Sequence, residues 1–337
     1  MQDAPALELA EIAVSSGSLN ERARWMLDGL RRVTPFDAAW VALADPLDGS
    51  YCTLAAAGLE EVTQAYLSGA STADDIQTTQ ANRAGAPMSP SDLPYPAEDL
   101  ATWAECLIPA GFHEALSVAL FTTDHRHVGF LALLSGSARP PTTAMRRRLH
   151  QLTPILARGI DPLRSLAISA RVLKGANAGA ALFRDGTQQP LPGLGRDRLL
   201  VDGSPVTALA RVYLAYGQIF TSFLWRRGDP DAPEQHVRVT VLASSPDAPV
   251  SVLGAIVLAP APATDLRGLT ARELQVLGLV IEGLSNQQIA VALFVTPRTV
   301  ATHLEHILAK LDASTRTLAA VRAARQGLYV PSTPHRR

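Results

Sequence analysis

The chain has 337 residues, 47% hydrophobic and 18% charged, with 30 Lys and Arg against 31 Asp and Glu. That length allows two or three domains, and the composition is that of a soluble globular protein. No apolar run reaches the ~18 residues a membrane span needs, and the opening MQDAPALELAEIAVSSG lacks the basic and apolar regions of a signal peptide. Cys52 and Cys106 are too few for a disulfide framework or a metal cluster. The expectation is a cytoplasmic protein with no membrane partner and no cofactor.

Ser18 and Glu21 have the spacing of a capping box ahead of a helix carrying Leu19, Met26, Leu27 and Leu30. Residues 37–45 (DAAWVALAD) read as a strand, Asp48-Gly49 as a hairpin turn and residues 51–57 as the partner strand. A second hairpin is expected over 115–121 and 127–134, turning through Asp124. Between the hairpins lies a long segment, 58–112, with a polar stretch at 71–85 and prolines at 87, 90, 94 and 96. Thr142 caps a helix striped by Met145, Leu149, Leu152, Ile155, Leu156 and Ile160, which Pro154 and Pro162 must kink or interrupt. The stripe fits a dimer seam or packing on the helix's own sheet equally well, and Arg146-Arg147-Arg148 reads as a solvated face. This order resembles a GAF domain, an α+β fold whose six-stranded sheet and insert enclose a small-molecule pocket. The resemblance implies a sensor domain over residues 5–165, with Phe112-His113 where a pocket wall would lie. His113 reads as an ordinary core or surface residue, and Cys52 and Cys106 as buried, inert thiols.

Residues 170–260 read as a second α+β unit. A hairpin turns at Asp185-Gly186, a helix starts at Ser204, and strands follow at 218–226, 236–243 and 250–258. Gly228-Asp229-Pro230 and Ser245-Pro246-Asp247 supply the turns between those strands. The order resembles a PAS-type fold. Proline-rich residues 259–268 read as a linker.

The last quarter carries four helix starts in a row. Thr270 with Glu273 and Ser285 with Gln288 are both capping boxes, Thr296 precedes Pro297 at the first helical position, and Ser314 or Thr315 opens a fourth helix that Gly327 closes. Val276, Leu277 and Val280 face inward from the first helix, and Ile289, Ala290 and Leu293 from the second. Val300, Leu304, Ile307, Leu308 and Leu311 form a stripe on the third. Gly283 ends the first helix, and Phe294-Val295 is expected to plug the turn before the third. The result is an all-α helix-turn-helix module over 265–330.

Residues 269–316 closely resemble the LuxR-type, or NarL-type, helix-turn-helix of bacterial transcription regulators. The likeness rests on the LT-x-RE opening, EGLSN-x-x-IA, the TV-x-x-H helix and the following KL. It implies that the helix beginning near Pro297 enters the major groove of duplex DNA and that the fourth helix pairs two copies. By the same resemblance Ala301, Thr302 and Glu305 face base edges, while Asn286, Gln287, Arg298, Thr299 and Lys310 lie against phosphates. The family commonly has Lys at the first of these positions and Lys or Arg one turn later; here Ala301 and Glu305 stand there. The charge-assisted contact to guanine O6/N7 is therefore missing, leaving thymine methyls for Ala301 and Thr302 and cytosine N4 for Glu305. His303 reads as a packed residue.

Residues 269–337 carry a net charge of +4, and the preceding 268 a net of −5. With about three phosphates neutralised per copy of a dimer, log K should fall with log salt at a slope of roughly −5. The sequence lacks GxSxG, Walker A and HExxH patterns, and the Gly193 and Gly195 loop lacks the strand-to-helix context of a phosphate cradle. An enzyme is not expected. The expected function is a one-component transcription regulator, responsive to a small-molecule effector or a partner, that binds double-stranded DNA as a homodimer. The alternative is a protein-interaction regulator whose helix-turn-helix no longer reads DNA.

Overall fold

A computed structural model describes residues 4–228, 235–246, 248–249 and 251–332. The expected turn residues Asp229, Pro230 and Asp247, and Val250 at the expected strand start, lie outside the described residues. The chain divides into two compact units, Met1–Pro162 with Ser245–Ser251, and Leu163–Ser244 with Val252–Arg337.

The first unit is an α+β fold. Helices α1 (Ala4–Val14) and α2 (Leu19–Arg31) precede strands β1 (Ala38–Ala44) and β2 (Tyr51–Ala57), and α2 begins in the capping box that Ser18 and Glu21 form. Helices α3 (Glu61–Leu67) and α4 (Ala70–Thr78) and a π-helical stretch, Thr102–Leu107, make up the insert. Strands β3 (Glu114–Phe121) and β4 (His127–Ser135) and helix α5 (Thr143–Ile160) complete the unit. The hairpin turn has Gly49 at φ 72°, a left-handed conformation that glycine adopts without a Cβ penalty.

The sheet is antiparallel in the order β2-β1-β4-β3. Four strands form it among the described residues, not the six that the GAF resemblance implied, because the insert that could have supplied more is helical. Strand alternation sends Val41, Leu43, Leu116, Val118, Leu120, Leu131 and Leu133 into one core, shared with α2 and α5. Ala38, Trp40, Ala42, Ala44, Ala115, Ala119, Phe130 and Ala132 go to the other, under the insert. Branched side chains fill the first face, whereas the second is dominated by alanine and leaves space.

The α5 stripe is packed on its own sheet, with Leu149, Leu152, Leu156 and Ile160 all buried, so it is not an open seam. Pro154 sits inside α5, and Pro162 begins the next helix, α6 (Pro162–Val172). The arginine run is not simply solvated: Arg146 pairs with Asp92, and Arg148 donates to the Val33 carbonyl at 3.0 Å.

The second unit contains β5 (Ala178–Phe183), β6 (Gln188–Pro190), α7 (Pro205–Ala215), β7 (Phe220–Arg226), β8 (His236–Ala243) and β9 (Val252–Ala261). Their antiparallel sheet has the order β6-β5-β9-β8-β7. The proline-rich linker is shorter than expected, because β9 continues to Ala261 with Pro260 opposite Val237. Proline is tolerated there because the β5 pairing on the other side ends at Leu258, so no ladder N–H is required.

Helices α8 (Ala271–Ile281), α9 (Asn286–Leu293), α10 (Pro297–Lys310) and α11 (Arg316–Gln326) follow. They share one apolar core with the five-stranded sheet. The carboxyl-terminal tail ties the two parts together: Leu224 N–H donates to the Tyr329 carbonyl at 2.8 Å, and Val330 N–H to the Leu274 carbonyl at 3.1 Å.

Candidate nucleic-acid interface

Local chemistry sets the ends of all four carboxyl-terminal helices. Thr270 with Glu273 and Ser285 with Gln288 form complete capping boxes. Thr296 Oγ1 accepts from Thr299 N–H at 3.1 Å, with Pro297 opening α10. Thr315 caps α11, and Gly327 ends it at φ 59°. Each cap contributes about 1 kcal/mol.

Helix α10 has two faces. Val300, Leu304, Ile307 and Leu311 are buried, while Arg298, Thr302, Glu305 and Ala309 form an exposed stripe along the other side. Thr299 is exposed too, and Ala301 is half-buried at the edge of the stripe. Thr302 Oγ1 bonds back to the Arg298 carbonyl at 3.3 Å, leaving its methyl as the outward feature. The exposed face of α10 thus offers a methyl, a carboxylate and a single guanidinium.

At α9, Gln287 is exposed and Asn286 half-buried, its Oδ1 accepting from Arg316 at 2.8 Å. Ser285 caps the N–H of Gln288. The first two amides of the helix, at Asn286 and Gln287, point out of the helix end as an anion site would require.

Phe294, expected to plug the turn between α9 and α10, is 96% exposed. It stands in the left-handed conformation at φ 54°, which swings its side chain away from the core. Val295 alone packs inward.

The cations are arranged differently from the sequence expectation. Lys310 Nζ donates to both oxygens of the buried Glu273 carboxylate, at 2.9 and 2.7 Å, so it is held inside the module and is not a free phosphate contact. Arg272 bonds Gln275 at 3.1 Å, Arg316 bonds Asn286, and Arg322 bonds the Leu311 carbonyl at 2.8 Å. Among the described residues after 268, only Arg298 and Arg325 have side chains without such a bond. Of the six described cations after 268, four therefore hold the helices together and two face outward. His303 is half-buried, as expected. His306 is exposed, with Nδ1 3.9 Å from Glu273.

In the first unit His113 is exposed, and neither it nor Phe112 lines the cavity under the insert, where the resemblance had put a pocket wall. Cys106 is buried, and burial pushes its thiol pKa up; Cys52 is exposed, contrary to expectation. No described helix is long and apolar enough to cross a membrane.

Residues 267–323 match the family model for bacterial regulatory proteins of the luxR family. The transcriptional regulatory protein LiaR of Bacillus subtilis (strain 168) is 53% identical over 60 residues, 18% of this chain and 28% of LiaR. The response regulator protein VraR of Staphylococcus aureus (strain NCTC 8325 / PS 47) is 45% identical over 60 residues, 18% of this chain and 29% of VraR. The matches thus span under a third of either relative. The GAF domain of Acinetobacter phosphoenolpyruvate-protein phosphotransferase is 17% identical, over 51% of this chain and 96% of that one, with a TM-score of 0.37. The capped helices, the two-faced α10 and the family match converge on one statement: the carboxyl-terminal module of this protein is a luxR-family helix-turn-helix domain.

Proposed function

We propose that the protein is a cytoplasmic, one-component transcription regulator that binds duplex DNA as a homodimer and responds to a small-molecule effector. In this reading residues 5–165 are the sensor domain, 170–260 a second sensor-like domain and 265–330 the DNA reader. The observation that carries it is the exposed Arg298-Thr302-Glu305-Ala309 stripe, opposite a fully buried one on the same helix. A helix with that division can lie in a major groove while its other side remains core. On α11, Thr317, Val321 and Ala324 make an exposed, small-residue stripe that supports pairing of two copies. Coupling between effector and DNA would be about 1–3 kcal/mol.

Base reading differs from that of a lysine-bearing relative. Glu305 accepts from cytosine N4, and the Ala301 and Thr302 methyls meet thymine. Asn286, Gln287, Arg298 and Thr299 position the module on phosphates. Duplexes selected from a random pool should therefore carry a C·G pair whose preference disappears in Glu305→Ala. A C·G preference that survives Glu305→Ala, or the absence of any, counts against this assignment.

With two free cations per copy among the described residues, about four phosphates are neutralised by the pair. The slope of log K against log salt should be about −4, shallower than the −5 expected from composition. Glu305→Lys should raise affinity and steepen the slope by about one per copy. Fluorescence anisotropy across a salt series measures both. If neither the protein's own upstream region nor any selected duplex binds, the reading gives way to a protein-interaction role, which the cation-poor face of α10 favours.

A further inference from the structure

The alanine-rich face of the first sheet and the helical insert enclose a cavity of about 710 Å³, counted to its opening on solvent. Its walls are mostly apolar, with Trp40, Trp103, Phe130, Met88 and several Ala and Leu side chains. The indole N–H of Trp40 is already bonded to Thr53 Oγ1 at 2.7 Å, so that ring offers the cavity only its apolar surface. Among the described lining residues there is no Lys, Arg or His, and Asp75 is the one ionisable group. Asp75 is held in place: Oδ2 accepts from the Thr102 N–H at 2.7 Å, locking α4 to the π-helical stretch. Its other oxygen, Oδ1, has no hydrogen-bond partner among the described residues. A half-buried carboxyl with a free acceptor, in a cavity without a cation, selects for donors and against negative charge.

We propose that this cavity binds an uncharged or cationic, mainly apolar small molecule that donates a hydrogen bond from an N–H or O–H to Asp75, and that it rejects anions. This deepens the effector reading given above, yet its test involves no DNA, so either can fail without the other. Asp75 acts as the anchor, while the alanines of the sheet provide the room.

The full chain is titrated calorimetrically with four probes on one eight-carbon skeleton: 1-octanol, octanamide, octylamine and octanoate. At least one of the three donors should bind about tenfold or more tighter than octanoate. The ratio of octylamine to octanol affinity shows whether the natural donor is a cation or a neutral group. Asp75→Asn keeps an oxygen for the Thr102 N–H and turns its NH2 toward the cavity. It should shrink the preference at least severalfold, with octanoate gaining. Ala132→Leu fills the cavity from the sheet side without touching Asp75 and should abolish binding of all four. The proposal is overturned if octanoate matches the best donor, if Asp75→Asn leaves the ratio unchanged, if Ala132→Leu still binds, or if none of the four binds wild type.

Discussion

Replacing Gly278 with valine should destabilise the second unit by about 3 kcal/mol and free the carboxyl-terminal tail. Glycine within a helix costs about 1 kcal/mol relative to alanine, so α8 must gain something from it. A Cβ at Gly278 would lie 1.9 Å from the Val330 carbonyl oxygen and 2.9 Å from its carbon. Both are backbone atoms, which cannot swing aside as a side chain can. The bare helix surface lets the tail cross α8, where Val330 bonds Leu274, and reach β7, where Tyr329 accepts from Leu224. Leu328 and Tyr329 are buried there, with the Tyr329 ring 6.4 Å from that of Phe223. Arg238 adds a bond to the Gln326 carbonyl at 2.8 Å, closing the end of α11. Displacing the tail exposes those two side chains and breaks both backbone bonds. Urea unfolding and limited proteolysis of the tail measure the effect. A rise in stability of about 1 kcal/mol in Gly278→Ala, as for an unconstrained helix glycine, would show that the tail does not need this surface.

Lys310→Met should cost about 2–3 kcal/mol at neutral pH and progressively less in acid. Glu273 is only 2% exposed and performs two tasks, closing the Thr270 capping box and pairing with Lys310. Removing one partner of a buried pair costs about 3–5 kcal/mol. The lysine side chain is 32% exposed, so water softens the loss. Burial pushes the Glu273 pKa up, but the hydrogen bonds from Lys310 and Thr270 outweigh it and hold the carboxyl below its ordinary value of 4.5. A depressed folded-state pKa means that the unfolded chain takes up the proton first. The pair therefore contributes fully above about pH 4.5, and that contribution fades as pH falls through the lower folded value. Without Lys310 the carboxyl pKa rises toward or past that of the unfolded chain, so the acid-dependent loss shrinks and the deficit of the variant is largest at neutral pH. Urea melts between pH 7 and pH 3.5 test this. Glu273→Gln combined with Lys310→Met should lose less than the sum of the single changes.

Much of the helix-turn-helix was legible because its signals are local. A capping hydroxyl and its partner stand three residues apart, so Thr270, Ser285 and Thr296 mark helix starts wherever the module sits. The two-residue alternation of DAAWVALAD and the Asp48-Gly49 turn were likewise readable, and strands 51–57 and 236–243 fall where the pattern put them. The polar stretch at 71–85 was not readable as a site. Only the fold shows that Thr72 and Ile76 point inward and that Asp75 meets Thr102, 27 residues away. Phe294 misled for a related reason: apolar character suggests burial, but its left-handed backbone turns it out.

The amino-acid order by itself determined where helices begin, which strands alternate, and that the last quarter is a luxR-type module. Those properties depend on contacts within about four residues, or on a two-residue period. Tertiary structure decided which cations remain for phosphate, since Lys310 and Glu273 are 37 residues apart and Arg316 and Asn286 are 30 apart. It also decided that small side chains gathered on one sheet face leave a cavity, and that the tail passes over Gly278. Each follows from distant segments meeting in three dimensions, where the charge, volume or bare backbone of one residue acquires a meaning set by the neighbour it meets.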